Sequence, residues 1–366
     1  MPAATLCVAS YQGDKIVAKE STGKVILQKI LIFIKWLWKH LQALYHPDNL
    51  KKRGLVRSIG LIAVTIFVLM FLIGVWWNRN PSFFDVKVAA QERAARDNEK
   101  IVTGYITTNT LIEVASTLVD KSGGYLSNDI MPPSVFMDDM SNWEWGVLQQ
   151  VRDFSKVLRN DMSRSRTQSE DPDLAKAEPK FNTDNKSWFW PTSEQKYQEG
   201  IELLENYLHR LGEPTNRSAQ FLAGANNLRD WLEEVIKRLG SLSQRLSASV
   251  GRMNSVGDSN ATIEDKTPWT KIDNVFYEAR GTSWALLHLL QAIKIDFKNV
   301  LEQKQAMMIL QQVIQELEGT QKMVWSPIIL NGSEFGLFAN HSLVLSSYIS
   351  RANTEMIELY NLLGNR

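Results

Sequence analysis

The chain has 366 residues, 44% of them hydrophobic, with 41 basic side chains against 40 acidic ones. That length can bury a sizeable core, and a single cysteine, Cys7, excludes a disulfide-stapled scaffold. Near-neutrality hides a division: residues 1–78 carry a formal +7 and the rest a formal −6, so nucleic acid is not an expected partner of the larger part.

Residues 1–24 show no periodic pattern and read as a loose N-terminus. Segment 25–54 has a helical pattern over residues 25–45. Gln28, Lys29, Lys35, Lys39, His40 and Gln42 share one side of a helix; Ile26, Ile30, Phe33, Leu37, Leu41 and Leu44 cover the other. With Trp36 and Trp38 in the same stretch, this basic amphipathic segment is expected to lie in the membrane surface. A partner's cytoplasmic surface is the alternative cover. Three lysines speak against a span here, and His46-Pro47-Asp48 ends the helix.

Residues 55–78 read as a transmembrane anchor. Between Arg57 and Arg79 no residue is charged, and about 20 helical residues at about 1.5 Å each match a bilayer's hydrocarbon core. Trp76 and Trp77 stand at the far end, where amphipathic rings favour the headgroups. A signal peptide is the competing reading. The run is longer than a signal's apolar region, lies inside the chain and ends in Val75-Trp76-Trp77 rather than small residues. Lys35, Lys39, Lys51, Lys52, Arg53 and Arg57 crowd its N-terminal side, which predicts a cytoplasmic N-terminus and an extracytoplasmic remainder.

After a juxtamembrane linker, 79–100, the expected helical periplasmic domain covers 101–366. Apolar stripes at three-to-four spacing predict helices over Ile101–Val119, Trp143–Met162, Ser193–Leu211, Arg217–Val250, Val275–Thr320 and Leu337–Leu363. The most regular stripe is Phe221, Ala225, Leu228, Leu232, Val235, Leu239, Leu242 and Leu246, a coiled-coil spacing. Trp231 and Ile236 widen that face, and Arg229, Arg238 and Arg245 flank it with one sign of charge. An intramolecular bundle helix is therefore expected. Ser163–Pro191 reads as a polar surface excursion and Gly251–Pro268 as a flexible connection.

Candidate chemistry is sparse. Ser193-Glu194-Gln195-Lys196 matches Ser-x-x-Lys but lacks the companion elements of that chemistry; Thr192 and Gln195 fit a helix-capping pair better. In the 325–342 segment, Glu334 and His341 would supply an acid and a base, with Asn331, Ser333 and Asn340 as binding groups. The structural alternative is a turn at Asn331-Gly332 with Asn340 or Ser342 capping the last helix. Trp188 and Trp190, in Trp-Phe-Trp-Pro, are candidate stacking or interface residues, although adjacent aromatics predict that at least one is buried. His288, between leucine pairs, reads as a hydrogen-bonded core histidine. The five histidines and single cysteine form no metal-ligand spacing, and there is no phosphate loop or dinucleotide fingerprint, so neither metal nor cofactor is expected.

Five segments carry a family resemblance: Gly124-Tyr125-Leu126-Ser127-Asn128-Asp129-Ile130, Asn142-Trp143-Glu144-Trp145-Gly146, Leu239–Val250, Phe276-Tyr277-Glu278-Ala279-Arg280-Gly281 and the Asn331–Ser342 loop. Together they resemble an uncharacterised bacterial membrane-protein family, the domain of unknown function family 2333, from the span to the C-terminus. The resemblance implies a Gram-negative bacterium and an inner-membrane anchor, with residues 1–50 longer than usual. It implies no activity. The expected molecule is all-α, with an N-terminal amphipathic helix and one transmembrane helix followed by an extracytoplasmic multi-helix bundle. Its expected role is an envelope interaction or scaffold protein whose partners are membrane lipid and other envelope proteins. A hydrolase of cell-wall or lipid-linked material, working through Glu334 and His341, is the alternative.

Overall fold

The computed structural model describes residues 55–164, 169–215, 218–250, 267–324, 326, 329–332 and 339–364, with single positions between 32 and 46. Among the described residues there are eleven α-helices and no strand; the only β pairing is an isolated bridge between Asn331 and Asn340. The chain divides into two compact units, residues 1–72 and 73–366.

Most of the first unit's described residues belong to α1, Leu55–Trp77, which runs on into the second unit. Val56–Trp77 is long and apolar enough to cross a membrane; its most apolar 18-residue stretch has a mean hydropathy of 2.7, and none of that stretch is buried. The surface segment 25–54 falls largely outside the described residues. Ile32, Lys35, Trp36, Lys39, Gln42 and Tyr45 are helical, and Tyr45 donates to Thr65 Oγ1. Trp38 lies outside the described residues, whereas Arg57 is described and exposed.

The second unit is a helical bundle around one helix buried on every side. Its helices are α2 Val86–Asp97, α3 Tyr105–Asp120, α4 Asp138–Val157, α5 Leu174–Phe181, α6 Ser193–Gly212, α7 Ala225–Ser247, α8 Ile272–Asp296, α9 Lys298–Gln303, α10 Met307–Thr320 and α11 His341–Gly364. In α8 every residue from Ala279 to Leu290 is buried, so it has no solvent stripe. It packs on α3 and α4 on one side and on α7 and α10 on the other, while α5 and α6 extend the first layer and α11 the second. From Ile272 to Asp296 it rises roughly 36 Å. Asn274 therefore marks one end of the bundle and Asp296, with α9 beyond it, the other.

The closest approach is between α4 and α8. A Cβ on Gly146 would lie 2.1 Å from the Glu278 carbonyl oxygen, and one on Gly281 would lie 2.0 Å from that of Trp143. Only two glycines allow the backbones to touch, and Trp143 and Trp284 fill the space beside them with ring centroids 5.2 Å apart. The α7 seam packs mainly on α11, and its flanking cations have intramolecular partners. Arg238 pairs with Asp153, Arg245 with Glu278, and Arg229 lies 4.3 Å from the Tyr360 ring centroid. This agrees with a bundle helix.

Three expectations are corrected. The segment read as a linker contains α2, capped by Asp85 and burying Val86, Ala90 and Ala94. The polar excursion contains α5, which buries Leu174, Ala177 and Phe181. The apolar run 275–320 is broken at Phe297 and again at Gln305, whose φ of 54° is left-handed.

Candidate functional site

Glu144 organises the end of the bundle where α4 and α8 begin. It is fully buried, and its carboxylate receives the Leu126 N–H at 2.8 Å, the Ser127 N–H at 2.8 Å and the Ser127 hydroxyl at 2.5 Å. Lys121, itself nearly buried, completes the set at 2.5 Å. Burial pushes the Glu144 carboxyl above the ordinary carboxylate range, while the Lys121 charge and the Ser127 and Leu126 hydrogen bonds pull it back. All four partners are donors, which suits the ionised form. The hub fixes the 121–129 loop against α4, and Gly123, at φ +91°, lets that loop turn under the Trp77 ring.

The ordered loop forms one wall of a cleft of about 500 Å³, lined by Ser127, Asp129, Asn142, Trp145, Lys186 and Asn274 among others. The opposite wall belongs to the 184–193 loop, joined on by two bonds: Asn128 Nδ2 donates to the Ser187 carbonyl at 3.0 Å, and the Tyr125 hydroxyl to that of Asn185 at 3.1 Å. Beside the cleft, burial and the neighbouring Asp138 and Asp273 push Asp139 up to about 6, against a hydrogen bond from Asn78. The lining mixes polar with apolar side chains, Leu126, Val135 and Trp145 among them, and carries both signs of charge. It can bind a hydrogen-bonding ligand or a segment of a partner. Among the described residues no group of three or more His, Cys, Asp or Glu is placed to hold a metal ion.

The acid–base pair proposed from the sequence is not assembled by the described residues. Glu334 and Ser333 lie outside them. His341 Nδ1 accepts from the Leu330 N–H at 3.0 Å, and the His341 N–H returns to the Leu330 carbonyl at 2.9 Å. Asn331 Nδ2 donates to the Ser249 carbonyl, and Asn340 bonds Gly332 through Nδ2 while its Oδ1 caps α11 at Leu343. Burial moves the His341 imidazole below its ordinary range. The described part of this loop is a turn and a cap. Ser193 is likewise structural. Its Oγ donates to the Asp184 carbonyl at 2.7 Å, Lys196 pairs with Glu199 at 2.9 Å, and Thr192 and Gln195 form the capping box.

The aromatic candidates differ from expectation. Trp188, Phe189 and Trp190 are all exposed, so the burial of at least one does not occur. Of the two tryptophans read as membrane residues at the end of the apolar run, Trp76 is exposed and Trp77 packs against the body's core. Sequence reading missed the Lys121–Glu144 pair as a site; the signal was present only as two of the resemblance segments, which meet at this hub. His288 is a core histidine as read. It also ties down the segment after the apolar helix, its Nε2 accepting from the Phe84 N–H at 3.3 Å.

A family model described as an uncharacterized protein conserved in bacteria, domain of unknown function 2333, matches residues 50–365. No curated protein and no solved structure matches the chain.

Proposed function

The chain belongs to this bacterial family, and on that premise we propose that it is a membrane-anchored interaction module of the cell envelope. In this reading Leu55–Trp77 crosses the inner membrane, the N-terminus is cytoplasmic, and the helical body works in the periplasm by binding another envelope component. The basic surplus on the N-terminal side of the apolar helix supports the orientation. The observation that carries the binding role is the cleft: a pocket of mixed polar and apolar lining between two loops, one of them fixed by a buried ion pair. The described atoms of the alternative loop favour binding over hydrolysis, because His341 Nδ1 and the Asn340 amide are consumed in backbone bonds.

Photo-cross-linking in intact cells tests this reading. A photoreactive residue in place of Lys186, at the cleft, should give a discrete adduct that the same residue in place of Glu302, on α9, does not. Glu334→Ala and His341→Ala should leave that adduct unchanged. Identical products from both positions would contradict a cleft-borne interaction.

A further inference from the structure

Three loops bring large apolar side chains to the Asn274 end of the bundle, and the core accounts for none of them. Loop 130–136 presents Ile130, Met131, Val135 and Phe136, the last 78% exposed. Loop 188–190 presents Trp188, Phe189 and Trp190, the last 75% exposed. The turn entering α8 presents Trp269, 80% exposed. They share one end of the molecule. Val135, Lys186 and Asn274 line the same cleft, Asn128 bonds Ser187 across it, and Trp269 stands three residues before the start of α8. So many large apolar groups at one pole mark a contact surface rather than ordinary solvent-facing scatter.

The neighbouring chain identifies what covers them. A Cβ on Gly74 would lie 3.6 Å from Pro133 Cβ and 3.9 Å from Met137 Sδ, and one on Gly123 would lie 2.8 Å from the Trp77 ring. Residues 74–77 are the last turn of the apolar helix, where a span passes into the headgroup layer. The 131–137 loop touches that turn, so it stands at headgroup depth.

We propose that this rim is a second membrane contact. Phe136, Trp188, Phe189, Trp190 and Trp269 enter the interface of the leaflet from which α1 emerges, and they hold the body against the bilayer. The composition fits: tryptophan and phenylalanine favour the headgroup boundary, while Asp129, Asn142 and Asn274 line the cleft and stay hydrated. The proposal rests on reading Leu55–Trp77 as an anchor, and its test separates the two.

The test uses the full chain with Cys7→Ser, reconstituted into phosphatidylethanolamine–phosphatidylglycerol vesicles. A single environment-sensitive fluorophore is placed by Val68→Cys, Phe136→Cys, Phe189→Cys or Glu302→Cys. Lipids carrying a nitroxide near the headgroup should quench the Phe136 and Phe189 positions several-fold more than Glu302, and a nitroxide deep in the chain should quench Val68. Quenching of Val68 with Phe136 and Phe189 indistinguishable from Glu302 would overturn the rim contact and leave the anchor. Shielding of both rim positions in detergent, without lipid quenching, would assign the rim to a second copy and overturn the proposal. Absence of quenching at Val68 would remove the anchor and the proposal with it.

Discussion

Glu144 and Lys121 form a buried ion pair whose remaining bonds are all made within the 121–127 loop and α4. Burying two charges costs several kcal/mol unless every donor and acceptor is used, and breaking such a pair leaves the survivor uncompensated. Glu144→Ala should therefore lower stability by about 3–5 kcal/mol in chemical denaturation. Glu144→Gln keeps an acceptor for Ser127 and should cost less. His288 makes a second residue-scale prediction. Its Nδ1–H donates to the Trp284 carbonyl at 2.8 Å, the ring stacks on Phe84, and burial pushes the imidazole down to about 4. Between its ordinary value of 6.5 and about 4 the unfolded chain binds a proton that the folded chain refuses. Stability from this group is thus full above pH 6.5 and falls by up to about 3 kcal/mol as the pH drops through that window. Asp139 works in the opposite sense: raised to about 6, it takes up its proton first in the folded state and adds stability as the pH falls towards 3.8. Melting of the parent minus melting of His288→Gln, followed against pH, isolates the histidine. A difference that does not change between pH 4 and 6.5 would contradict the assignment. The core role of His288 was legible in its leucine context. The exposure of Trp188 and Trp190 was not, because local apolarity reports the tendency to bury and only tertiary neighbours report the outcome.

At the scale of elements, the α4–α8 crossing sets the bundle. Gly281→Ala places a methyl against the Trp143 carbonyl and Gly146→Ala one against that of Glu278; neither backbone can yield as a flexible side chain would. Each should cost about 2 kcal/mol or more, whereas Gly240→Ala, with only Asn353 Nδ2 at 3.6 Å, should be neutral or stabilising by up to about 1 kcal/mol. Thermal melting of the three variants checks the ordering. The long helices were legible because leucine and aromatic stripes recur at helical spacing, as in α7. Helix α2 was not, since its buried face is Val86, Ala90 and Ala94, and alanine gives little contrast with polar neighbours. Helix α5 has only two turns, with Pro179 inside, and sits in polar sequence. The breaks after Asp296 and at Gln305 carry no glycine or proline. Asp296 is instead held by Thr107 of α3 through its N–H at 2.8 Å and hydroxyl at 2.7 Å, a contact invisible to periodicity.

For the molecule as a whole, composition along the chain already separated a basic N-terminal part, an apolar helix and an acidic helical body. The cleft was not legible, because Ser127, Asn142, Lys186 and Asn274 come from four separate stretches that the α4–α8 crossing, the Glu144 hub and the loop-to-loop bonds bring together. The binding reading depends on the body lying outside the inner membrane, and labelling from that side addresses it most directly. In the Cys7→Ser, Glu302→Cys chain, a membrane-impermeant maleimide applied to cells with a permeabilised outer membrane should modify the introduced cysteine without lysis. Modification only after the inner membrane is broken would place the body in the cytoplasm and contradict the account.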